Sequence, residues 1–193
     1  MKLKIVSGEL KGRSIELPKS ISDFRPTKSS VREAIASSLF FKIKDSNVAD
    51  LCAGSGAFGI EMLSRGAKFS LFVELDTLRS KALEKNIVNL GIASERFSVE
   101  NRSLRDYLSG QSANVKYDII FCDPPYGDIA LVDIVDSTIS MLNPGGLLIF
   151  EREVTGSKQN RKLKSINVGE YIFKKRVYGR TEVLIYENKL ESE

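Results

Sequence analysis

From Asn47 to Phe150 the sequence repeats one unit: a short apolar run, a turn, then a helix-length segment with apolar residues three and four apart. The runs are Val48–Cys52, Phe69–Glu74, Phe97–Glu100, Tyr117–Cys122 and Gly146–Phe150. Strands alternating with helices predict an α/β fold, a parallel sheet with helices on both faces. In one intervening helix Leu78, Ala82, Leu83, Ile87 and Leu90 mark the apolar face, and Gly91 stands where a C-terminal cap belongs. Leu131 to Met141 reads as the helix before the last run.

Both ends depart from this rhythm. Leu3–Val6 and Arg13–Leu17 predict a hairpin turning through Gly8 and Gly12. Arg25-Pro26-Thr27 introduces a helix, since Pro26 disfavours helical backbone at Arg25 and Thr27 can cap the next amides. Val31, Ala34, Ile35 and Leu39 give that helix an apolar face, with Lys28 and Arg32 on another. At the far end, Glu170–Tyr178 and Glu182–Tyr186 flank Gly179-Arg180-Thr181 and predict an antiparallel pair on the sheet edge. The organisation expected is a basic extension, residues 1–44, followed by one α/β domain, residues 45–193.

Charge follows the same division. The net +4 conceals +5 over residues 1–45, −4 over 46–150 and +3 over 151–193, a distribution that suits a polyanionic partner at the ends. Histidine is absent, which removes Ser-His-Asp triads, His-Glu-x-x-His zinc sites and imidazole bases. Cys52 and Cys122, far apart in sequence, make neither a disulfide framework nor a cysteine zinc site, so no metal is expected. No signal-peptide core or long apolar run occurs, and the expectation is a soluble, cytoplasmic protein without a membrane partner. Nothing in the pattern specifies an oligomer; a monomer is compatible with it.

Two loops carry chemistry. Asp50-Leu51-Cys52-Ala53-Gly54-Ser55-Gly56 follows the first parallel run, at the strand end where doubly wound sheets bind ligands. Gly54, Gly56 and Gly59 fit Gly-x-Gly-x-x-Gly, and Glu74 ends the next run, eighteen residues beyond Gly56, where a carboxylate can accept both ribose hydroxyls of an adenosine. That pairing suits NAD and S-adenosylmethionine alike. Asp123-Pro124-Pro125-Tyr126 follows the fourth run at the same crevice. The prolines stiffen the loop and leave carbonyls as acceptors. Asp123 and the Pro124 carbonyl can each accept one N–H of an exocyclic amino group while Tyr126 stacks on its ring. Such acceptors orient a weak nitrogen nucleophile and offset the positive charge it develops.

With these residues the chain resembles class I S-adenosylmethionine-dependent methyltransferases that act on nucleobase amino groups. Lys4–Gly8, Lys11-Gly12-Arg13, Arg25-Pro26-Thr27, Val31-Arg32-Glu33-Ala34, Leu63–Ala67 and Tyr178–Val183 narrow the resemblance to the RsmD family, over roughly residues 3 to 187. The resemblance implies a Rossmann-like, mostly parallel seven-stranded sheet with an antiparallel C-terminal edge hairpin. It implies transfer of a methyl group from S-adenosylmethionine to N2 of a guanine in 16S ribosomal RNA, within the small ribosomal subunit. Asp50, Ala53, Gly54, Ser55, Gly56, Glu74 and Asp123 are then donor-binding candidates, with Asp50 ordering its loop rather than exchanging protons. Asp123, Pro124, Pro125 and Tyr126 are the catalytic candidates. Arg25, Thr27, Lys28 and Arg32 are the RNA candidates, Lys28 having no motif support of its own. The sequence departs from the family in two places. Ser103-Leu104 stands where Asp or Asn followed by Ala is usual near the adenine, which favours backbone contacts there. Ser37-Ser38 replaces a Phe-Asn-type pair.

Other readings compete. Buried structural cysteines account for Cys52 and Cys122 without a thiol nucleophile. A dehydrogenase lacks its substrate domain. An adenine-N6 or other nucleobase amino-methyltransferase would use the same loop. A non-catalytic RNA-binding module would explain the basic ends but neither loop.

Overall fold

The computed structural model describes residues 2–17, 29–110, 115–124, 131–153 and 172–189. A two-stranded hairpin opens the chain, β1 (Lys2–Lys4) against β2 (Ser14–Glu16), followed by α1 (Ser29–Ser38) and the single turn α2 (Phe40–Ile43). The alternating region then runs β3 (Asn47–Asp50), α3 (Ala57–Ser64), β4 (Phe69–Val73), α4 (Thr77–Asn89), β5 (Phe97–Glu100), α5 (Leu104–Ser109), β6 (Tyr117–Cys122), α6 (Leu131–Ile139) and β7 (Leu142–Glu153). The edge hairpin β8 (Ile172–Tyr178) and β9 (Thr181–Glu187) closes the described chain.

The main sheet has seven strands in the order β5-β4-β3-β6-β7-β9-β8. The pairs from β5 through β7 are parallel, and β9 is antiparallel to both β7 and β8, as the sequence pattern predicts. The chain moves outward through β4 and β5, then returns to the other side of β3 as β6. The switch point therefore lies between β3 and β6, where a crevice opens at the carboxyl ends. Register sets Asp50 beside Phe72 on one side and Phe121 on the other, so the loops that leave these strands emerge together.

Each sheet face has its own core. Val48, Phe72, Phe121, Ile149, Val183 and Ile185 cover one face with α3 and α4, while Leu51, Ile120, Leu148, Leu184 and Tyr186 meet Ile134 and Val135 of α6 on the other. Central strands buried on both faces read as continuous apolar runs, which is why the sequence displays them so plainly. The extension joins the first core through Ile5, Leu10, Ile15, Val31 and Ile35.

Three details differ from expectation. The last parallel strand runs Leu142–Glu153, longer at both ends than the expected Gly146–Phe150. Leu78 is 62% exposed, because the packed face of α4 begins with Ser80 and continues through Leu83, Asn86 and Ile87. Arg32, assigned to a polar face, is 1% exposed beside Val31, Ile35 and Ala36. Gly91 does close α4: at φ +73° it donates to the Val88 carbonyl, and Ile92 donates to the Ile87 carbonyl.

Candidate active site

The first loop is built by backbone economy. Leu51 N–H donates to the Phe121 carbonyl and Ala53 N–H to the Val73 carbonyl, so the chain stays tied to both neighbouring strands beyond β3. It then turns through Gly54 and Gly56, at φ +55° and +70°, into α3. A Cβ on Gly56 would lie 2.1 Å from Leu83 Cδ1, and one on Gly59 2.3 Å from Phe72 Cε1. Both glycines let α3 approach the sheet and α4 closely, and the left-handed turn at Gly56 needs one in any case. Ser55 and Ala53 are buried in this turn.

Carboxylates from three strand ends meet here. Asp50 is buried and accepts the Gly59 amide at 3.1 Å, holding the first turn of α3. Burial pushes its carboxyl up to about 7 against the pull of that amide, and the charges of Asp123 and Glu74 push the same way. Glu74, directly after β4, accepts the Gly54 amide at 2.7 Å and the Asp76 amide at 2.8 Å. Each carboxylate oxygen carries two lone pairs, so capacity remains for two hydroxyl donors. Asp123 and Pro124, half-buried, leave β6 on the same edge. Pro125 and Tyr126 lie outside the described residues.

Asn101 is a residue that sequence reading missed. Its side-chain amide donates to the carbonyls of Glu74 and Leu75, both at 2.9 Å, and its oxygen accepts Thr77 Oγ1 at 2.8 Å. It fixes the bend that presents Glu74. Ser103 is the N-cap of α5: its hydroxyl accepts the Asp106 amide at 3.0 Å and donates to the Asp106 carboxylate. Its side chain is committed to the helix, and Leu104 is buried beside it.

The extension is clamped to the two helices that follow these loops. Glu61 of α3 accepts the amides of Val6 and Ser7 at 2.9 and 3.0 Å and pairs with Arg65. Ser64 accepts the Leu10 amide, and a Cβ on Gly8 would sit 1.8 Å from the Ser64 carbonyl oxygen, so only glycine fits that approach. Arg13 donates to the carbonyls of Leu90 and Asn89 at the end of α4, and Asn86 exchanges hydrogen bonds with the Glu16 backbone. A lone Glu or Asn on a helix reads as a solvated face, and no local signal distinguishes these.

Arg32 corrects an expectation. Its guanidinium donates to the Lys4 carbonyl at 3.1 Å and faces Glu61 and Glu151, so it joins α1 to the hairpin and sheet instead of presenting a charge to RNA. Arg25, Thr27 and Lys28 lie outside the described residues. Cys122 is fully buried, and its hydrogen bond with the Cys52 thiol, together with burial, pushes its own thiol up, the opposite of an activated nucleophile. Among the described residues no cluster of acidic or thiol side chains suits a metal ion, and no helix is long and apolar enough to cross a membrane.

Known proteins resemble this chain over nearly its full length. A family model described as Conserved hypothetical protein 95 matches residues 3–187. The Ribosomal RNA small subunit methyltransferase D of Buchnera aphidicola (subsp. Acyrthosiphon pisum) is 40% identical over 142 residues, 73% of this chain and 70% of that protein. The Escherichia coli K12 protein of the same name is 29% identical over 192 residues, 99% and 92% of the two chains. Among solved structures, Escherichia coli yhhF superposes with a TM-score of 0.82 at 25% identity, covering 99% of this chain and all (100%) of that one. An RNA methyltransferase from Salinibacter ruber, solved with S-adenosyl-L-homocysteine, shares the fold at a TM-score of 0.63 and 13% identity, covering 88% and 97%.

Proposed function

The chain belongs to the RsmD family, whose model spans residues 3–187, and we propose that it methylates the N2 amino group of a guanine in 16S ribosomal RNA. The observation that carries this reading is the meeting of Asp123-Pro124 with Asp50 and Glu74 at the carboxyl edge of β3, β4 and β6. The methyl donor is S-adenosylmethionine. The residues suit it: Gly54 and Gly56 turn the backbone at positive φ at the carboxyl end of β3, and Glu74 retains acceptor capacity for a ribose. The donor, when bound, supplies an electrophilic methyl group at a sulfonium.

Everything else is positioning. The Gly54–Gly56 turn approaches the donor's amino-acid end, and Asp50 keeps that turn closed through Gly59. Asp123 and the Pro124 carbonyl accept the two N–H groups of the guanine amine, aiming its nitrogen and offsetting the charge it gains. Tyr126 stacks on the base, which must leave its helix; extrusion costs a few kcal/mol and least at an unpaired nucleotide, so the target lies in a loop or bulge. The proton leaves to water, and no residue is assigned as a base. A ribosomal RNA substrate makes the cytoplasm the place of action.

The test is transfer. Labelled donor is incubated with the protein and, separately, free 16S RNA and small subunits lacking the modification. Label in the RNA of either sample supports the reading. Donor binding without label in any RNA supports a non-catalytic role and overturns it.

A further inference from the structure

We infer that Lys174 and Arg176 of the outer edge strand β8 form a phosphate-binding rail for the RNA substrate, three strands from β6, an inference that rests on the proposed RNA methylation. Register assigns their face. Arg176 pairs with Val183 and Lys174 with Ile185, both in the core that also contains Val31 and Ile35 of α1, and Tyr178 packs against that core. Lys175 pairs with Leu184 of the opposite core and forms an ion pair with Glu182, which also holds Arg152. The three cations in sequence thus divide by face. Lys175 is neutralised on one side, while Lys174 and Arg176 have no carboxylate partner among the described residues on the other.

Through Val183 and Glu151, Arg176 lies level with the carboxyl end of β6, and Lys174 lies two residues farther in. Tyr178 and Thr181, which bound the β8–β9 turn, lie across from Glu153 at the carboxyl end of β7, next to β6 and its Asp123. α1 supports the same edge: Arg32 in its first half faces Glu151 of β7, which pairs with Val183, which pairs with Arg176. At its other end α1 leads through α2, where Lys42 donates to the Gly145 carbonyl near the opposite edge. Two cations without a carboxylate partner among the described residues, on the same sheet as Asp123, fit the phosphodiester backbone leading away from an extruded base, which positions without reading sequence.

The experiment compares K174E, the double variant K174E/R176E, and K44E, an equal charge change before β3 on the amino edge. Steady-state methylation of undermethylated small subunits and RNA binding across salt are measured, with donor affinity as a separate readout. The rail requires KM for RNA to rise ~3- to 10-fold in K174E and more in the double variant. The salt slope should fall by about one unit per removed contact, with kcat and donor affinity unchanged. Lys174 is exposed, so K174E keeps the test valid if the double variant folds poorly. KM and slope in K174E equal to those in K44E would overturn the rail while leaving the methylation reading intact. Wild-type protein that labels no RNA would overturn both.

Discussion

The amide of Gly54 donates to the Glu74 carboxylate at 2.7 Å, so the glycine turn after β3 and the acid at the end of β4 form one unit. The same carboxylate orders the Asp76 amide ahead of α4. Glu74→Ala should therefore do two things: loosen the turn and remove the proposed ribose acceptor. Donor affinity is expected to fall by more than ~10-fold, measured by calorimetry, with a lower Tm. Unchanged donor affinity would separate Glu74 from the donor site.

Gly56 tests the turn itself. In Gly56→Ala the added methyl meets Leu83 at 2.1 Å, on a backbone at φ +70°. The expected cost is about 1–3 kcal/mol in urea denaturation. Donor binding should weaken with it, because the turn at Gly56 must shift or Leu83 of α4 must repack to make room for the methyl.

Asp50 makes stability depend on pH in a direction opposite to an ion-paired acid. Its folded carboxyl is raised from 3.8 to about 7, so the folded state holds a proton that the unfolded chain has released. Its contribution is full below about pH 4 and is lost as pH rises toward 7. Asp50→Asn, which keeps the shape, should flatten that decline. Denaturant midpoints for both proteins at about pH 5 and about pH 8 read it directly; an identical pH slope in the two would refute the shift.

Glu61 should act on the extension. Glu61→Ala leaves the amides of Val6 and Ser7 and the Arg65 guanidinium without their acceptor, an expected loss of about 1–3 kcal/mol. Hydrogen exchange should rise first at residues 5–10, since the hairpin turn loses its hold on α3. Exchange rising uniformly across the sheet instead would mean that Glu61 supports the domain as a whole.

These contrasts show what was legible in the sequence. The alternation of strands and helices was legible from apolar runs and helix spacing because the central strands are buried on both faces, and Gly54, Gly56 and Glu74 stood out by residue type. The order of the strands in the sheet was not legible. Arg32 and Glu61 were not legible. A charged residue on a helix reads as solvated until its partners are known, and those partners lie far along the chain: Lys4 for Arg32, Val6 and Ser7 for Glu61. Asn101 gave no signal for the same reason, since its two acceptor carbonyls belong to the preceding βα turn. Leu78 kept the helical period yet precedes the packed part of α4.

In the proposed mechanism Asp123 accepts one N–H of the attacking amine. Asp123→Ala should retain the fold and donor binding while transfer falls by at least ~100-fold, since one acceptor for the attacking amine is gone. Full activity in this variant would remove Asp123 from the mechanism.

The central claim is the identity of the methylated atom. Small subunits lacking the modification are treated with wild-type protein and donor, the RNA is digested to nucleosides, and the products are separated by mass and retention. The expected result is N2-methylguanosine at one position of 16S RNA, absent with Asp123→Ala. N6-methyladenosine, or any other methylated nucleoside in its place, would contradict the assignment.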